Sequence, residues 1–191
     1  GITAAVVERL TVPGMRLVLL GRSPLPGAED PALASVSDGQ LQAAIIQNAK
    51  QTGESLTPAD VKKRVARALA DREIRSNLAR LETARATVDY RSCDVADADA
   101  LSSLISGLYD EFGRIDAVIH GAGVIEDKLF KDKTTESFQR VFNTKVQAAI
   151  TLSRVLKPES LKLCVFFASV AGRYGNNGQG DFSYHLLRRL R

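Results

Sequence analysis

Phe166-Phe167-Ala168-Ser169-Val170-Ala171-Gly172-Arg173-Tyr174-Gly175-Asn176 is the stretch on which the fold turns. It reads as a buried apolar strand that ends in a serine and breaks into a glycine-rich loop. In open α/β sheets ligands bind in the crevice beyond the carboxyl ends of the strands, so Ser169 stands where a hydroxyl would face a bound substrate. A serine that caps the following turn is the other reading of the same residue.

Lys145 lies 24 residues before Ser169, and Phe182 lies 13 residues after it. With Gly175, Asn176, Gly178, Gln179 and Asp181 between them, this pattern resembles the ketoreductase domains of polyketide and polyunsaturated-fatty-acid synthases, a branch of the short-chain dehydrogenase/reductase family. In that family a lysine, a serine and a tyrosine stand at these separations, within a segment like Phe-Ser-Ser-x-Ala-Gly-x-x-Gly-Asn-x-Gly-Gln-x-Asp-Tyr. The resemblance implies catalytic roles for Ser169 and Lys145. It puts Phe182 at the tyrosine position.

Reducing a ketone requires a hydride at the carbonyl carbon and a proton donor at the oxygen. A tyrosine serves only when a neighbouring cation lowers its pKa. Lysine supplies that cation and serine hydrogen-bonds the carbonyl. Phenylalanine has no proton to give, and losing a positioned general acid costs roughly 10²–10⁴-fold in rate. Tyr184 is a weak substitute, because two residues along a helix turn a side chain by about 200°. His185 lies nearer the right face but about a turn further along. After Asp181 the resemblance fails, for Leu186 stands where the family carries an asparagine and the chain ends on Arg188-Arg189-Leu190-Arg191. Such a change of character is expected of a frameshifted or truncated reading frame as readily as of an evolved one.

Outward from this stretch, Glu136 to Leu156 reads as one long helix, with Phe138, Val141, Phe142, Val146, Ile150, Leu152 and Val155 suited to burial. Ile115 to His120 reads as a strand leading into Gly121-Ala122-Gly123, small residues that let a backbone approach a flat cofactor. The resemblance sets that loop beside the nicotinamide ribose. At His120 a strand-end histidine held by its neighbours is favoured over a catalytic one. Ile125-Glu126-Asp127 is similar to the Leu-Asp-Asp signature of B-type ketoreductases, which give the D (3R) hydroxyl; the resemblance assigns Asp127 and Gly172 to the substrate side.

The remaining chain supplies the other half of a dinucleotide fold. Gly1-Ile2 opens an amphipathic helix running to Leu10, and the resemblance makes Gly1 the last glycine of a fingerprint whose strand and earlier glycines are absent. Met15 to Leu20 reads as a parallel strand that stops at Gly21-Arg22-Ser23. In dinucleotide folds an arginine here accommodates the 2′-phosphate of NADP, so Arg22 favours NADPH over NADH, a solvated turn arginine being the other reading. A helical insertion is expected over about residues 28–82. It starts one helix at Thr57-Pro58, and its basic residues Lys62, Lys63, Arg64, Arg67, Arg72 and Arg75 are expected on a solvated face. Thr87 to Val95 reads as the next strand; the resemblance borders the adenine ring with Asp94 and Val95. Asp97 is the expected N-cap of a helix that Gly113 stops.

At 191 residues and 45% hydrophobic, the chain suffices for one domain with a sizeable core. No apolar run of membrane length and no signal peptide is visible, so a cytoplasmic protein without a membrane partner is expected. A net charge of +4, mixed in sign along the chain, argues weakly for an anionic ligand or acidic partner and hardly at all for nucleic acid, so no nucleic-acid partner is expected. Cys93 and Cys164 have no metal-ligand spacing, so no metal is expected, and both read as inert core thiols.

The expected architecture is a Rossmann-type doubly wound α/β domain over residues 1–191, lacking its first strand and last elements. By resemblance, its function is NADPH-dependent reduction of a β-ketoacyl thioester on an acyl carrier protein, beside other synthase domains. An inactive reductase fold kept as a scaffold is the competing reading. A free-standing sugar or steroid dehydrogenase is disfavoured by the insertion and by the Gly-Asn-x-Gly-Gln-x-Asp loop.

Overall fold

The computed structural model describes residues 1–126, 130–169 and 174. Its contacts divide the chain into two compact units, Gly1–Ser92 and Cys93–Arg191.

The first unit contains helix α1 (Ile2–Leu10), strand β1 (Arg16–Gly21), helices α2 (Pro31–Ala34), α3 (Leu41–Gln51) and α4 (Pro58–Thr83), and strand β2 (Thr87–Ser92). β1 and β2 pair in parallel, from Arg16 opposite Thr87 to Gly21 opposite Ser92. A parallel pair requires a crossover, and here α2 to α4 provide it. Leu41, Ile45 and Ala49 recur at helical spacing on α3 and are buried, as are Val61 and Leu81 on α4. α4 begins as Thr57-Pro58 predicts. The Thr57 hydroxyl accepts from the Asp60 N–H at 3.2 Å, and the Asp60 carboxylate accepts from the Thr57 N–H at 3.0 Å, a complete capping box.

Two basic residues of α4 depart from the solvated face expected of them. Arg72, whose side chain is 18% exposed, reaches the Glu29 carboxylate at 2.6 Å, Asp38 at 2.6 Å and the Leu33 carbonyl at 2.7 Å. Arg75 donates to the Gly27 carbonyl at 3.1 Å. These planar cations tie the loop between β1 and α3 to the middle of α4, a use that suits the fork of donors on a guanidinium. Leu69 is also more exposed than its helical spacing predicts, at 37%.

In the second unit, helix α5 (Ala98–Phe112) precedes strand β3 (Ala117–His120). A helical run follows through α6 (Thr135–Phe142), a π turn (Asn143–Gln147) and α7 (Ala148–Val155), and leads to strand β4 (Leu163–Phe166). β3 and β4 are again parallel, with Ala117 opposite Leu163 and His120 opposite Phe166. Asp97 caps α5 by accepting from the N–H groups of Asp99 and Ala100 at 3.1 and 3.0 Å. Gly113 ends it at φ 74°, the left-handed conformation glycine adopts without strain. Leu101, Ile105, Leu108 and Tyr109 of α5 are buried, and α5 packs against α7. The Tyr109 hydroxyl accepts from the Lys157 N–H at 2.9 Å, just beyond α7.

Three expectations need correction in this unit. The helix read from Glu136 to Leu156 contains a π turn, which brings the consecutive residues Thr144, Lys145 and Val146 all into the buried class. Phe138 is 37% exposed and stacks on Phe142 at 5.7 Å. Cys164 is exposed, unlike the buried Cys93; it lies at the exposed start of β4, beside Leu163, which is 41% exposed. The parallel α/β character read from the sequence is present in both units.

Candidate functional site

Two groups of expected site residues are described, one in each unit. In the first unit β1 runs out into Gly21-Arg22-Ser23. Gly21 makes room there for Tyr90. A Cβ on it would overlap the Tyr90 hydroxyl and stand 2.9 Å from Tyr90 Cζ. The Tyr90 hydroxyl donates to the Ser23 carbonyl at 2.8 Å, and the Ser92 hydroxyl donates to the Arg22 carbonyl at 3.2 Å. Arg22 is exposed and forms no ion pair among the described residues, whereas nearby Arg91 is paired with Asp89 at 2.5 Å. The turn therefore presents a cation open to an anion. Gly1 and Ile2 are exposed at the start of α1, and space is open around Gly1.

In the second unit the π turn carries Lys145, which is only 8% exposed. Its ammonium donates to the Phe167 carbonyl at 3.3 Å, just past the end of β4. Burial lowers its pKa from the ordinary lysine value, since a charge in a poorly hydrated site is disfavoured. Gly123 lies against the same side chain. A Cβ there would be 3.0 Å from Lys145 Cε and 3.3 Å from Nζ, so Gly123 approaches the lysine closely, which its lack of a side chain allows. His120, at the end of β3, is 6% exposed and meets Phe166 edge to face at 5.8 Å. Its Nε2 has no hydrogen-bond partner among the described residues. Burial is the largest cause lowering its pKa; the backbone of Lys145 and Thr144 works against that, and the Lys145 charge reinforces it.

Ser169 is half-buried and lies three residues beyond the end of β4 rather than at the strand's last position. The structure thus brings Lys145, Gly123 and the backbone leading to Ser169 together. Asp94 and Val95 form the turn into α5, where the Asp94 carboxylate accepts from the Ala96 N–H at 3.0 Å. Asp127, Gly172, Phe182 and Tyr184 lie outside the described residues, as do Gly175 and the loop after it. Among the described residues no cluster of three or more His, Cys, Asp or Glu could hold a metal, and no helix is long and apolar enough to cross a membrane.

Sequence reasoning misses two supporting contacts. Glu126 accepts from the Ser137 hydroxyl at 2.6 Å and from Arg140 at 2.6 and 2.9 Å, which anchors the segment before Asp127 to α6. A glutamate followed by a serine and an arginine three residues apart on a helix is the available signal. Tyr90 reads in sequence only as a strand residue. Its place opposite Leu19, two residues before Gly21 on the same face, is where a large ring would demand a glycine.

A family model of the KR domain matches residues 1–184. The chain belongs to the KR domain family. It is 32% identical over 192 residues to one subunit of the polyunsaturated fatty acid synthase of Thraustochytrium sp. (strain ATCC 26185 / S-3), a match covering 96% of this chain and 7% of that protein. The chain therefore spans a small part of this curated relative. Among solved structures, a ketoreductase domain from the bacillaene assembly line is similar at a TM-score of 0.63 and 25% identity, covering 96% of this chain and 33% of that one. A metagenomic short-chain oxidoreductase in complex with NADP shares the fold at a TM-score of 0.68 and 17% identity, covering 100% and 67% of the two chains. KR membership places the chain in an oxidoreductase family of short-chain dehydrogenase type.

Proposed function

We propose that residues 1–191 act as one cytoplasmic ketoreductase domain within a polyketide or polyunsaturated-fatty-acid synthase. The reaction is NADPH-dependent reduction of a β-ketoacyl thioester, held on an acyl carrier protein, to the β-hydroxyacyl thioester. The observation that carries this reading is Lys145. Its ammonium is buried on a π turn, against the backbone that leads to Ser169 and under the glycine of the 121–123 loop. π turns recur at functional sites, and a buried lysine at a strand's carboxyl end is out of place as a solubilising group.

The residues present fit a nicotinamide dinucleotide. Arg22 offers an exposed guanidinium without an ion pair among the described residues, and a side chain at position 123 would fill the space beside Lys145. When bound, NADPH supplies the hydride that adds to the carbonyl carbon. Arg22 and Ser23 hold the 2′-phosphate end, Gly1 and Ile2 the pyrophosphate end, and Asp94 and Val95 the adenine. His120 and Gly121-Ala122-Gly123 line the nicotinamide end. Ser169 donates to the substrate's carbonyl oxygen, Asp127 and Gly172 border the acyl chain, and Lys145 holds a positive charge beside the proton donor.

At the donor position this chain carries Phe182, so catalysis by the chain as it stands is impaired. That same residue favours a second reading, a reductase fold retained as a scaffold. Absorbance at 340 nm during incubation of the protein with NADPH and a 3-ketoacyl thioester tests both. Slow oxidation, accelerated by Phe182→Tyr, supports the impaired reductase. A rate typical of an intact enzyme overturns the impairment. No binding of NADPH, even with Phe182→Tyr, favours the scaffold.

A further inference from the structure

The turn that carries Arg22 is held from the neighbouring strand, and this observation extends the NADP reading on which it rests. Both carbonyls of the Arg22-Ser23 dipeptide are taken up by β2 hydroxyls: Ser23 by Tyr90 at 2.8 Å and Arg22 by Ser92 at 3.2 Å. The Tyr90 ring packs so closely on Gly21 that no Cβ fits between them. Its phenol is half-buried and lies within electrostatic reach of Arg67 and Asp71 of α4, which pair with each other at 2.9 Å. Tyr90 is thereby held against the end of β1, and its one polar atom is spent on the turn.

We propose that Tyr90 is a positioning residue for the 2′-phosphate of NADP, setting the angle at which Arg22 and Ser23 meet that group. A guanidinium recognises phosphate through a planar fork, so a small rotation of its backbone removes one of two parallel hydrogen bonds. The phenol end of Tyr90 lies against Gly21 and limits where the turn can sit; the hydroxyl on the Ser23 carbonyl limits its rotation. In this role Tyr90 acts through the turn, by its hydrogen bond to the Ser23 carbonyl. Its influence is confined to the part of the dinucleotide that distinguishes NADPH from NADH.

The test is a pair of calorimetric titrations, NADPH and NADH, into the purified parent protein and into Tyr90→Phe, with melting temperatures recorded alongside. The variant keeps the ring and loses the hydroxyl. NADPH is expected to bind about fivefold more weakly, the loss of one ordinary hydrogen bond, while NADH stays within about twofold. A merely structural tyrosine would lower the melting temperature or weaken both ligands equally, leaving the NADPH to NADH ratio unchanged; that result overturns the inference alone. A parent protein that binds the two equally, or neither, overturns the assignment of Arg22 to NADP and this inference with it. If Tyr90→Phe does not fold, Ser92→Ala replaces it. Removing that longer bond is expected to shift the same ratio about twofold in the same direction, and an unchanged ratio overturns the inference.

Discussion

Replacing Lys145 with methionine is expected to raise stability while lowering activity, the reverse of what a structural lysine would do. Methionine keeps a flexible apolar stem at a site 8% exposed and removes the ammonium. Relief of a buried polar group recovers roughly 1–3 kcal/mol on mutational scales. The hydrogen bond to the Phe167 carbonyl, long at 3.3 Å, returns no more than about 1 kcal/mol when lost. The net gain is at most about 1 kcal/mol, or no more than roughly 2–4 °C in Tm for a chain of this size. The pH dependence has a definite sign. Burial sets the folded pKa below the ordinary lysine value of 10.5, so between the two pKa values the unfolded chain binds more protons than the folded one. Parent stability therefore rises with pH across that window. The gap between Lys145→Met and parent is widest below the folded pKa and closes as pH approaches the unfolded value. Thermal unfolding followed by circular dichroism at several pH values measures this, and hydride consumption in the Phe182→Tyr background measures activity, expected to fall at least about 10²-fold. A variant less stable than the parent by more than about 1 kcal/mol, by an amount independent of pH, would refute the reasoning.

Phe182→Tyr alone should raise the rate of ketone reduction by roughly 10²–10⁴-fold, read as NADPH oxidation with a 3-ketoacyl thioester; no change would remove the general acid from the account. Gly21→Ala is expected to destabilise the protein by about 1–3 kcal/mol through overlap with Tyr90. Combining it with Tyr90→Phe should recover part of that loss, as seen in chemical denaturation, because the hydroxyl is the nearest atom. Thr57→Ala breaks the capping box at the start of α4 and should lower stability by about 1 kcal/mol, with helix content by circular dichroism falling only slightly.

Local chemistry is legible where the sequence carries its own boundary signals. Asp97 and Gly113 delimit α5 as a cap and a left-handed stop, and Thr57-Pro58 opens α4, because each signal acts within a few residues of the backbone groups it satisfies. Helical spacing sets Lys145 on the same face as Val141 and Phe142, where the fold buries it, but residue type alone would assign a lysine to the surface. Contacts between distant parts of the chain are not legible. Arg72 finds Glu29 and Asp38 at separations of 43 and 34 residues, and nothing near Arg72 distinguishes it from the solvated arginines beside it. A π turn adds one residue to one helical turn, a displacement too small to break a 3.6-residue apolar pattern, so Asn143–Gln147 reads as ordinary helix. Residue type alone assigns Phe138 to the core, whereas stacking on Phe142 covers only one of its faces.

The crossover between β1 and β2 also bears on how the first unit forms. The hydroxyl contacts that complete it join residues 67 and 70 positions apart, so neither can close until the intervening helices are placed. At equilibrium the long connection is nearly free, since each doubling of a loop adds only about 0.6 kcal/mol of closure entropy. In time it is not, because distant pairing raises contact order and slows folding. α4 has its own nucleation signal at Thr57 and its own anchor at Arg72, so it is suited to assemble before the strands meet. The turn bearing Arg22 would then be among the last parts of this unit to take shape during synthesis, and among the first to loosen when the unit begins to open.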